Sequence, residues 1–95
     1  MRIKWMKRAL IQLFSIHKFI TKRNPAAAQS VLAEIEGAGL QLKQFPRLGH
    51  PGERVGVFEL QVPGTPYVLP YRVVGEMIEI LSVFDQRRNP EDKLW

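Results

Sequence analysis

The spacing of apolar residues changes near residue 46, and this change constrains the fold more than any other feature of the chain. Between residues 6 and 45, apolar side chains recur every three or four positions, as they do in amphipathic helices. From residue 57 onward they alternate with polar residues or form short runs, which is typical of β-strands. Because 95 residues suffice for one domain, we expect a single domain spanning residues 1–95.

The N-terminal half predicts one short strand followed by two helices. Residues 2–5 alternate basic and apolar side chains, which indicates a strand with one buried face, and residues 6–22 carry a broad apolar stripe. Asn24 is suited to N-cap a second helix with Pro25 at its first position, and Pro46 stops that helix. The link of two or three residues makes the helices an antiparallel hairpin.

Two glycines fall in the second half of the second predicted helix. Gly37 and Gly39 each lower helix stability by roughly 1 kcal/mol relative to alanine. Close packing against the first helix would offset this loss.

The C-terminal half predicts three strands after a loop rich in proline and glycine. The loop covers residues 46–56, and the strands cover residues 57–62, 67–74 and 77–84. The order β-α-α-β-β-β predicts an α+β fold, in which the helical hairpin covers one face of a mainly antiparallel, four-stranded sheet.

Pro70 lies in the middle of one predicted strand, where it cannot donate a backbone hydrogen bond. A proline is tolerated in a strand at a bulge, or where the missing donor points away from the ladder. Three roles for this strand stay open: ordinary core, display of a catalytic side chain such as Arg72, or a face for another protein.

Basic residues are concentrated at the start of the chain, whose formal net charge is +5. Residues 1–23 hold seven lysines and arginines and no acid, whereas the nine acidic residues all lie from Glu34 onward. This asymmetry favours an acidic partner, such as a nucleic acid, an anionic surface or an acidic protein segment. The alternative is a solvated helix face.

Composition argues against several other functions. The chain has no cysteine, so it forms neither disulfides nor thiolate metal sites, and its two histidines, His17 and His50, are isolated. We expect no metal and no cofactor. Polar residues interrupt the apolar run near the N-terminus, so we expect neither a signal peptide nor a membrane span, and a cytoplasmic location.

One set of side chains has the chemistry for phosphate transfer. Arg72, Arg87 and Arg88 would stabilise a phosphorane, and Asp85 is the titratable group beside them. A metal-free ribonuclease also needs both a base and an acid. One carboxylate with three arginines therefore makes an incomplete catalytic set.

Motifs along nearly the whole chain resemble the RelE/ParE superfamily of toxins from type II toxin-antitoxin systems, and most closely its ParE-like branch. The matching segments are IKW, RAL, NPAAA, FPRLGHPG, FELQVPGTPYVLPYRV and IEILSVFDQRRNP. The resemblance implies a βααβββ fold and a ParD-like antitoxin whose C-terminal segment wraps the toxin. It implies contact with operator DNA only through that antitoxin.

The branches of this superfamily imply different activities. ParE-like toxins bind DNA gyrase and stall it on cleaved DNA, which requires no catalytic residues. RelE-like toxins are ribosome-dependent mRNA endonucleases, and their usual basic positions correspond here to Glu59, Gln61, Val68 and either Asp85 or Gln86. We therefore expect a non-enzymatic gyrase inhibitor. The alternatives are the nuclease and a degenerate, non-toxic member that still binds antitoxin.

The chain departs from the ParE-like pattern at several positions. Phe58 replaces an arginine of the second predicted strand, Asp85 replaces a histidine after the last one, and His50 replaces an arginine in the loop, whereas Arg88 matches the pattern. These changes remove positive charge from the expected functional surface.

The resemblance also suggests which residues contact each partner. For the antitoxin we expect the first helix to contribute Leu10, Phe14 and His17, together with the exposed sheet. For the gyrase target we expect Arg54, Phe58, Tyr71, Arg72, Asp85, Arg87 and Arg88.

Overall fold

Two α-helices and six strands form the part of the chain, residues 1–93 and 95, that a computed structural model describes. The elements are β1 (Arg2–Trp5), α1 (Lys7–Thr21), α2 (Pro25–Gln44), β2 (His50–Pro51), β3 (Phe58–Gln61), β4 (Tyr67–Val74), β5 (Met77–Ile80) and β6 (Phe84–Asp85). A short 3₁₀ helix (Pro90–Asp92) comes after β6. Neither α1 nor α2 is long and apolar enough to cross a membrane.

The six strands form one sheet in the order β1-β5-β4-β3-β2, and β6 pairs with β4 beyond the end of β5. All pairs are antiparallel except β1 with β5, which run parallel with Arg2 opposite Met77. The predicted α+β class and mainly antiparallel sheet are confirmed. The sheet has two more strands than predicted, since residues 50–51 and 84–85 each form a two-residue strand.

The helix boundaries agree with the signals in the sequence. The Asn24 side chain accepts a hydrogen bond of 3.1 Å from the backbone N–H of Ala27, and Pro25 opens α2, as predicted. The helix ends at Gln44, two residues before Pro46. Both predicted ends of α2 are therefore confirmed to within a residue or two.

The core lies between α2 and one face of the sheet. Ile35 and Leu42 of α2 are fully buried, as are Leu69 of β4 and Ile78 and Ile80 of β5. Since side chains alternate along a strand, these strand positions all point to the helix side of the sheet. We call the opposite side the outer face.

Gly39 permits a close approach at one end of this core. A Cβ atom at Gly39 would lie 2.7 Å from Cζ2 of the Trp5 ring, which is closer than van der Waals contact allows. The expected partner was the first helix, and this expectation is wrong, because Gly39 packs against β1. Burial of the Trp5 ring offsets the helix-weakening effect of this glycine.

A β-bulge lies opposite Pro70. Tyr71 is paired with Ile80 and Val68 with Phe84, so three residues, 81–83, lie opposite the two residues 69–70. The Pro70 carbonyl accepts a hydrogen bond of 2.8 Å from the Leu81 N–H, so its missing donor also faces the bulge. The proline therefore lies opposite a bulge, and the predicted continuous strand 77–84 is wrong, because β5 stops at Ile80.

Gln12 of α1 closes the bulge from the helix side. Its Oε1 atom accepts hydrogen bonds from Ser82 Oγ at 2.7 Å and from the Val83 backbone N–H at 2.8 Å. Ser82 is fully buried, and no buried side-chain nitrogen or oxygen within residues 1–93 and 95 lacks a partner. Gln12 therefore satisfies the polar groups that the bulge withdraws from the ladder.

We expect Gln12→Ala to destabilise the protein by about 1–3 kcal/mol, because it leaves buried donors on Ser82 and Val83 without an acceptor. Gln12→Glu keeps an acceptor and should restore most of the loss. Urea denaturation monitored by circular dichroism measures the change.

Gln29→Ala provides the matched control, since Gln29 is exposed on α2. This substitution should change stability by about 0.5 kcal/mol at most. Equal stability of the two alanine variants would show that Gln12 does not hold the bulge.

Candidate functional site

Three arginines line an open groove of about 580 Å³ that includes part of the outer face. We call it the arginine groove, and its principal lining residues are Arg8, Arg54, Val57, Arg72, Leu81 and Trp95. Arg72 is half exposed, and its Nε donates to Glu79 Oε1 at 2.6 Å across the β4-β5 pair. The groove thus combines positively charged guanidinium groups with apolar side chains such as Val57 and Leu81.

A second groove, of about 600 Å³, runs between α1 and β6. We call it the β6 groove, and its principal lining residues are Ile11, Gln12, Phe19, Tyr67, Asp85 and Arg88. Ile11 and Phe19 expose more than half of their side chains despite being apolar. An exposed apolar lining of this kind is a feature of interaction sites.

The rings of Phe84 and Trp95 connect the two grooves. They contact edge to face with centroids 5.1 Å apart, and Phe84 lines the β6 groove while Trp95 lines the arginine groove. Lys93 Nζ lies 5.9 Å from both ring centroids. The two grooves therefore adjoin, and positively charged side chains line both.

Asp85 is held by Arg87. The Arg87 backbone N–H and Nε donate to Asp85 Oδ1 at 2.9 and 3.0 Å, and its Nη2 donates to Oδ2 at 2.7 Å. Hydrogen bonds from the Arg87 side chain lower the pKa of the Asp85 carboxyl, and the carboxylate in turn raises the pKa of Arg87. Asp85 is thus ionised at neutral pH and has no proton to give to a leaving group.

Tyr71, which was predicted to contact the target, has a fully buried side chain in this structure. The side chain is fully inside the core, where its hydroxyl donates to the Pro46 carbonyl at 2.8 Å and accepts from the Gly49 N–H at 3.0 Å. Burial raises the pKa of Tyr71, so the hydroxyl stays protonated. Tyr71 fastens the loop that precedes β2.

Phe58 belongs partly to the same cluster. It is half-buried and lies opposite Tyr71 in the β3-β4 pair, with ring centroids 5.7 Å apart. The position that holds an arginine in the family pattern therefore packs against the core. The accessible remainder of the predicted target set consists of Arg54, Arg72, Asp85, Arg87 and Arg88.

The predicted antitoxin residues differ in exposure along α1. Leu10 and Phe14 are 51% and 69% exposed. Leu10 lines a third groove, of about 430 Å³, which we call the hairpin groove; Trp5, Leu13 and Leu40 also line it. His17 is half-buried between the two helices, so it offers a partner less surface than Leu10 or Phe14.

Residues 1–93 and 95 contain no cluster of three side chains suited to hold a metal ion. His50 is exposed, and its Nδ1 atom lies 3.2 Å from the Pro51 carbonyl. The geometry provides basic and apolar binding surfaces. Within the described residues, the carboxylates that contact Arg72, Arg87 and Arg88 are Glu79, Asp85 and Asp92, and each is ion-paired with its arginine.

Two solved structures share this fold. The chromosomal ParDE toxin-antitoxin system from P. aeruginosa superposes with a TM-score of 0.83 at 28% identity, over 90% of this chain and 95% of that one. The toxin-antitoxin complex RelBE2 from Mycobacterium tuberculosis superposes with a TM-score of 0.64 at 27% identity, over 88% of this chain and 95% of that one. The fold is that of the RelE/ParE superfamily.

Sequence relatives identify the branch. The candidate toxin Y4kP of Sinorhizobium fredii (strain NBRC 101917 / NGR234) is 40% identical over 82 residues, which are 86% of this chain and 84% of the relative. Residues 3–90 match the ParE toxin of type II toxin-antitoxin system, parDE. The chain belongs to this ParE toxin family, as its motifs predicted.

Several residues of these surfaces were missed by sequence reasoning. Arg8 and Trp95 line the arginine groove, and Phe84 contacts Trp95 beside it. The signal for Arg8 was present in the basic N-terminal run. The sequence offers no corresponding signal for Trp95, because its position depends on how the residues after β6 return toward the sheet.

We expect Tyr71→Phe to loosen the loop at residues 46–49 without opening a cavity in the core. Loss of the two hydrogen bonds should cost about 1–2 kcal/mol. Amide hydrogen exchange measured by NMR should be faster at Gly49 in the variant than in the unmodified protein, and unchanged at the fully buried core strands.

The matched control is Tyr67→Phe, because the structure shows no hydrogen bond of the Tyr67 hydroxyl to any residue in 1–93 or 95. This change should leave exchange at Gly49 as it was. Unchanged exchange in Tyr71→Phe as well would contradict an anchoring role for its hydroxyl.

Proposed function

We propose that this toxin acts by binding DNA gyrase and that a ParD-like antitoxin neutralises it. The observation that supports a binding mechanism most directly is the state of Asp85. Its carboxylate accepts three hydrogen bonds from Arg87 and has a lowered pKa, so it is occupied by that arginine, as Glu79 is by Arg72 and Asp92 by Arg88. Inhibition by binding alone requires no acid-base residue.

The proposed target surface consists of the arginine groove and the β6 groove. Arg54, Arg72 and Arg88 expose their guanidinium groups along it, and the Phe84–Trp95 pair gives it an apolar centre. Arginine forks donate paired hydrogen bonds to carboxylates or phosphates, and arginines and aromatic rings dominate binding energy at protein interfaces. This combination suits a surface that must hold a large partner firmly.

The replacement at Phe58 is compatible with this surface. Because Phe58 stacks on Tyr71, it strengthens the support beneath β3 and β4. Positive charge is supplied by Arg8 and Arg54 instead, and both border the same groove as Arg72. The lost arginine is thus offset by neighbours contributed by α1 and the loop before β3.

The proposed antitoxin surface is the hairpin groove with the neighbouring exposed ring of Phe14. The apolar lining of the groove suits the apolar face of an amphipathic segment. Lys43 lines the groove together with Glu36, Lys7 at the start of α1 is exposed, and no acidic residue occurs among the first 23. Acidic side chains at the margins of the antitoxin segment would complement this charge.

We expect purified gyrase to accumulate linear plasmid DNA when this protein is added in rising amounts, and added antitoxin to reverse the effect. Arg72→Ala and Arg88→Ala should each lower the potency by about tenfold, which corresponds to about 1.4 kcal/mol of contact energy. Agarose-gel supercoiling and cleavage assays measure both effects.

Lys22→Ala is the control, because Lys22 is exposed at the end of α1 and lines neither groove. Gyrase that is unaffected by a large excess of folded protein would contradict the proposal. Cleavage of mRNA in a translating lysate, abolished by Asp85→Asn, would instead establish the nuclease alternative.

We expect Leu10→Ala and Phe14→Ala to weaken antitoxin binding by roughly 5- to 30-fold each, because each removes an apolar contact of about 1–2 kcal/mol. Arg72→Ala and Arg88→Ala should change this affinity less than about twofold. Isothermal titration calorimetry with the antitoxin encoded beside the toxin gene gives the affinities.

Ile11→Ala is the matched control on the same helix, since Ile11 is similarly exposed but lines the β6 groove. A larger loss of antitoxin affinity with Ile11→Ala than with Leu10→Ala would place the antitoxin on the other flank of α1.

A further inference from the structure

The arginine groove has more positive charge than its acidic neighbours neutralise. Within residues 1–93 and 95 the ion pairs involve Arg72, Arg87 and Arg88, so Arg8 and Arg54 keep their charges unpaired. Arg72 uses its Nε atom on Glu79, and a guanidinium has further donors on its two terminal nitrogens. Three guanidinium groups therefore border one cleft: one comes from α1, one from the loop before β3, and one from β4.

Trp95 supplies an aromatic platform in the same cleft. Its ring is half-buried and is held by the edge-to-face contact with Phe84 and by the Lys93 ammonium group. Aromatic rings beside a row of basic side chains are the means by which proteins hold unpaired nucleic-acid strands, since the bases stack on the rings while the cations bind the phosphates. Each base-aromatic stack adds affinity without demanding a particular sequence.

We propose that the arginine groove binds single-stranded DNA directly, with phosphates on Arg8, Arg54 and Arg72 and a base on Trp95. The inference rests on the proposed function, and it deepens that function by naming the DNA of the gyrase complex as a second partner of the toxin. The toxin would then hold both the enzyme and a locally unpaired stretch of its DNA.

The lining of the groove favours an unpaired strand over a duplex or an acidic peptide. A duplex keeps its bases stacked inside, so it would leave the Trp95 ring without a partner. A peptide bound in extended form would need free backbone groups at a strand edge, whereas the edge strands of this sheet are β1, β2 and β6, and none of them lines the groove. The phosphate spacing along a flexible single strand adapts to arginines on three separate elements.

The first test is fluorescence anisotropy with a labelled DNA strand of about 12 nucleotides, without gyrase or antitoxin. We expect the logarithm of the binding constant to fall with the logarithm of the salt concentration with a slope of about −2, as three phosphate contacts on a single strand require. Arg54→Gln should weaken binding and reduce the slope by about 0.7.

Lys22→Gln is the matched control, because it removes one positive charge outside the groove. Equal losses in Arg54→Gln and Lys22→Gln would reduce the binding to general charge attraction and overturn the proposal. Tighter binding of an RNA strand of the same sequence would assign the groove to RNA, and tighter binding of a polyglutamate peptide would assign it to acidic protein segments.

The second test uses the two tryptophans as reporters. A base stacked on Trp95 should quench indole fluorescence, and the quenching should persist in Trp5→Phe and disappear in Trp95→Phe. Quenching that survives in Trp95→Phe would place the strand elsewhere and contradict its assignment to the arginine groove.

These outcomes separate this inference from the proposed function. If gyrase is poisoned while the free DNA strand does not bind, the groove contacts protein alone, and the proposed function stands without the inference. If the strand binds as described while gyrase is unaffected, the DNA-binding groove is real and the gyrase target is wrong.

Discussion

The sheet is interrupted where Pro70 faces residues 81–83, and the rest of the molecule depends on how this interruption is held. A proline in the central strand β4 removes one donor, and the extra residue opposite it withdraws further backbone groups from the ladder. Gln12 replaces those lost partners from the helix layer. The helix hairpin and the sheet are therefore joined at this point by hydrogen bonds as well as by apolar packing.

The bulge also determines the course of the chain beyond it. Pairing with β4 resumes at β6, where Phe84 lies opposite Val68 and Asp85 lies opposite Tyr67. The Phe84 ring in turn supports Trp95 between the two grooves. Residues that border the proposed target surface thus depend for their positions on one glutamine on α1, which itself lines the β6 groove.

Helix α1 and the residue before it contribute side chains to all three grooves. Met6 and Arg8 line the arginine groove, Leu10 and Leu13 the hairpin groove, and Ile11 and Phe19 the β6 groove. Because these residues occupy successive directions around one short helix, a protein seated on the hairpin groove lies close to the proposed target surface. An antitoxin there could block gyrase by its bulk and by opposing charge, without covering every arginine.

The sequence predicted the elements better than their connections. Asn24, Pro25 and Pro46 act within their own helix, so local rules placed the hairpin correctly. The end of β5 at Ile80 could not be read in this way, because residues 77–84 are largely apolar and the break depends on Pro70 and Gln12, which are distant in sequence. Tyr71 was assigned to the surface because a family motif does not show which side of a strand is buried.

Site residues could likewise be predicted where they lie on one helix, but not where separate elements bring them together. Leu10 and Phe14 could be assigned to the first helix from their spacing, and both are exposed there. Trp95 could not be connected with Arg54 or Arg8, because three separate elements meet there only after the sheet has formed.

The parallel pairing of β1 with β5 has a consequence for how the protein is made. Arg2 pairs with Met77, which lies 75 positions later in the chain. At synthesis rates of about 5–20 residues per second, the first strand waits roughly 4–15 seconds for its partner. During this interval β1 has no neighbour in the sheet, so the sheet is completed on this side only after β5 has been synthesised, while both helices are already in the nascent chain.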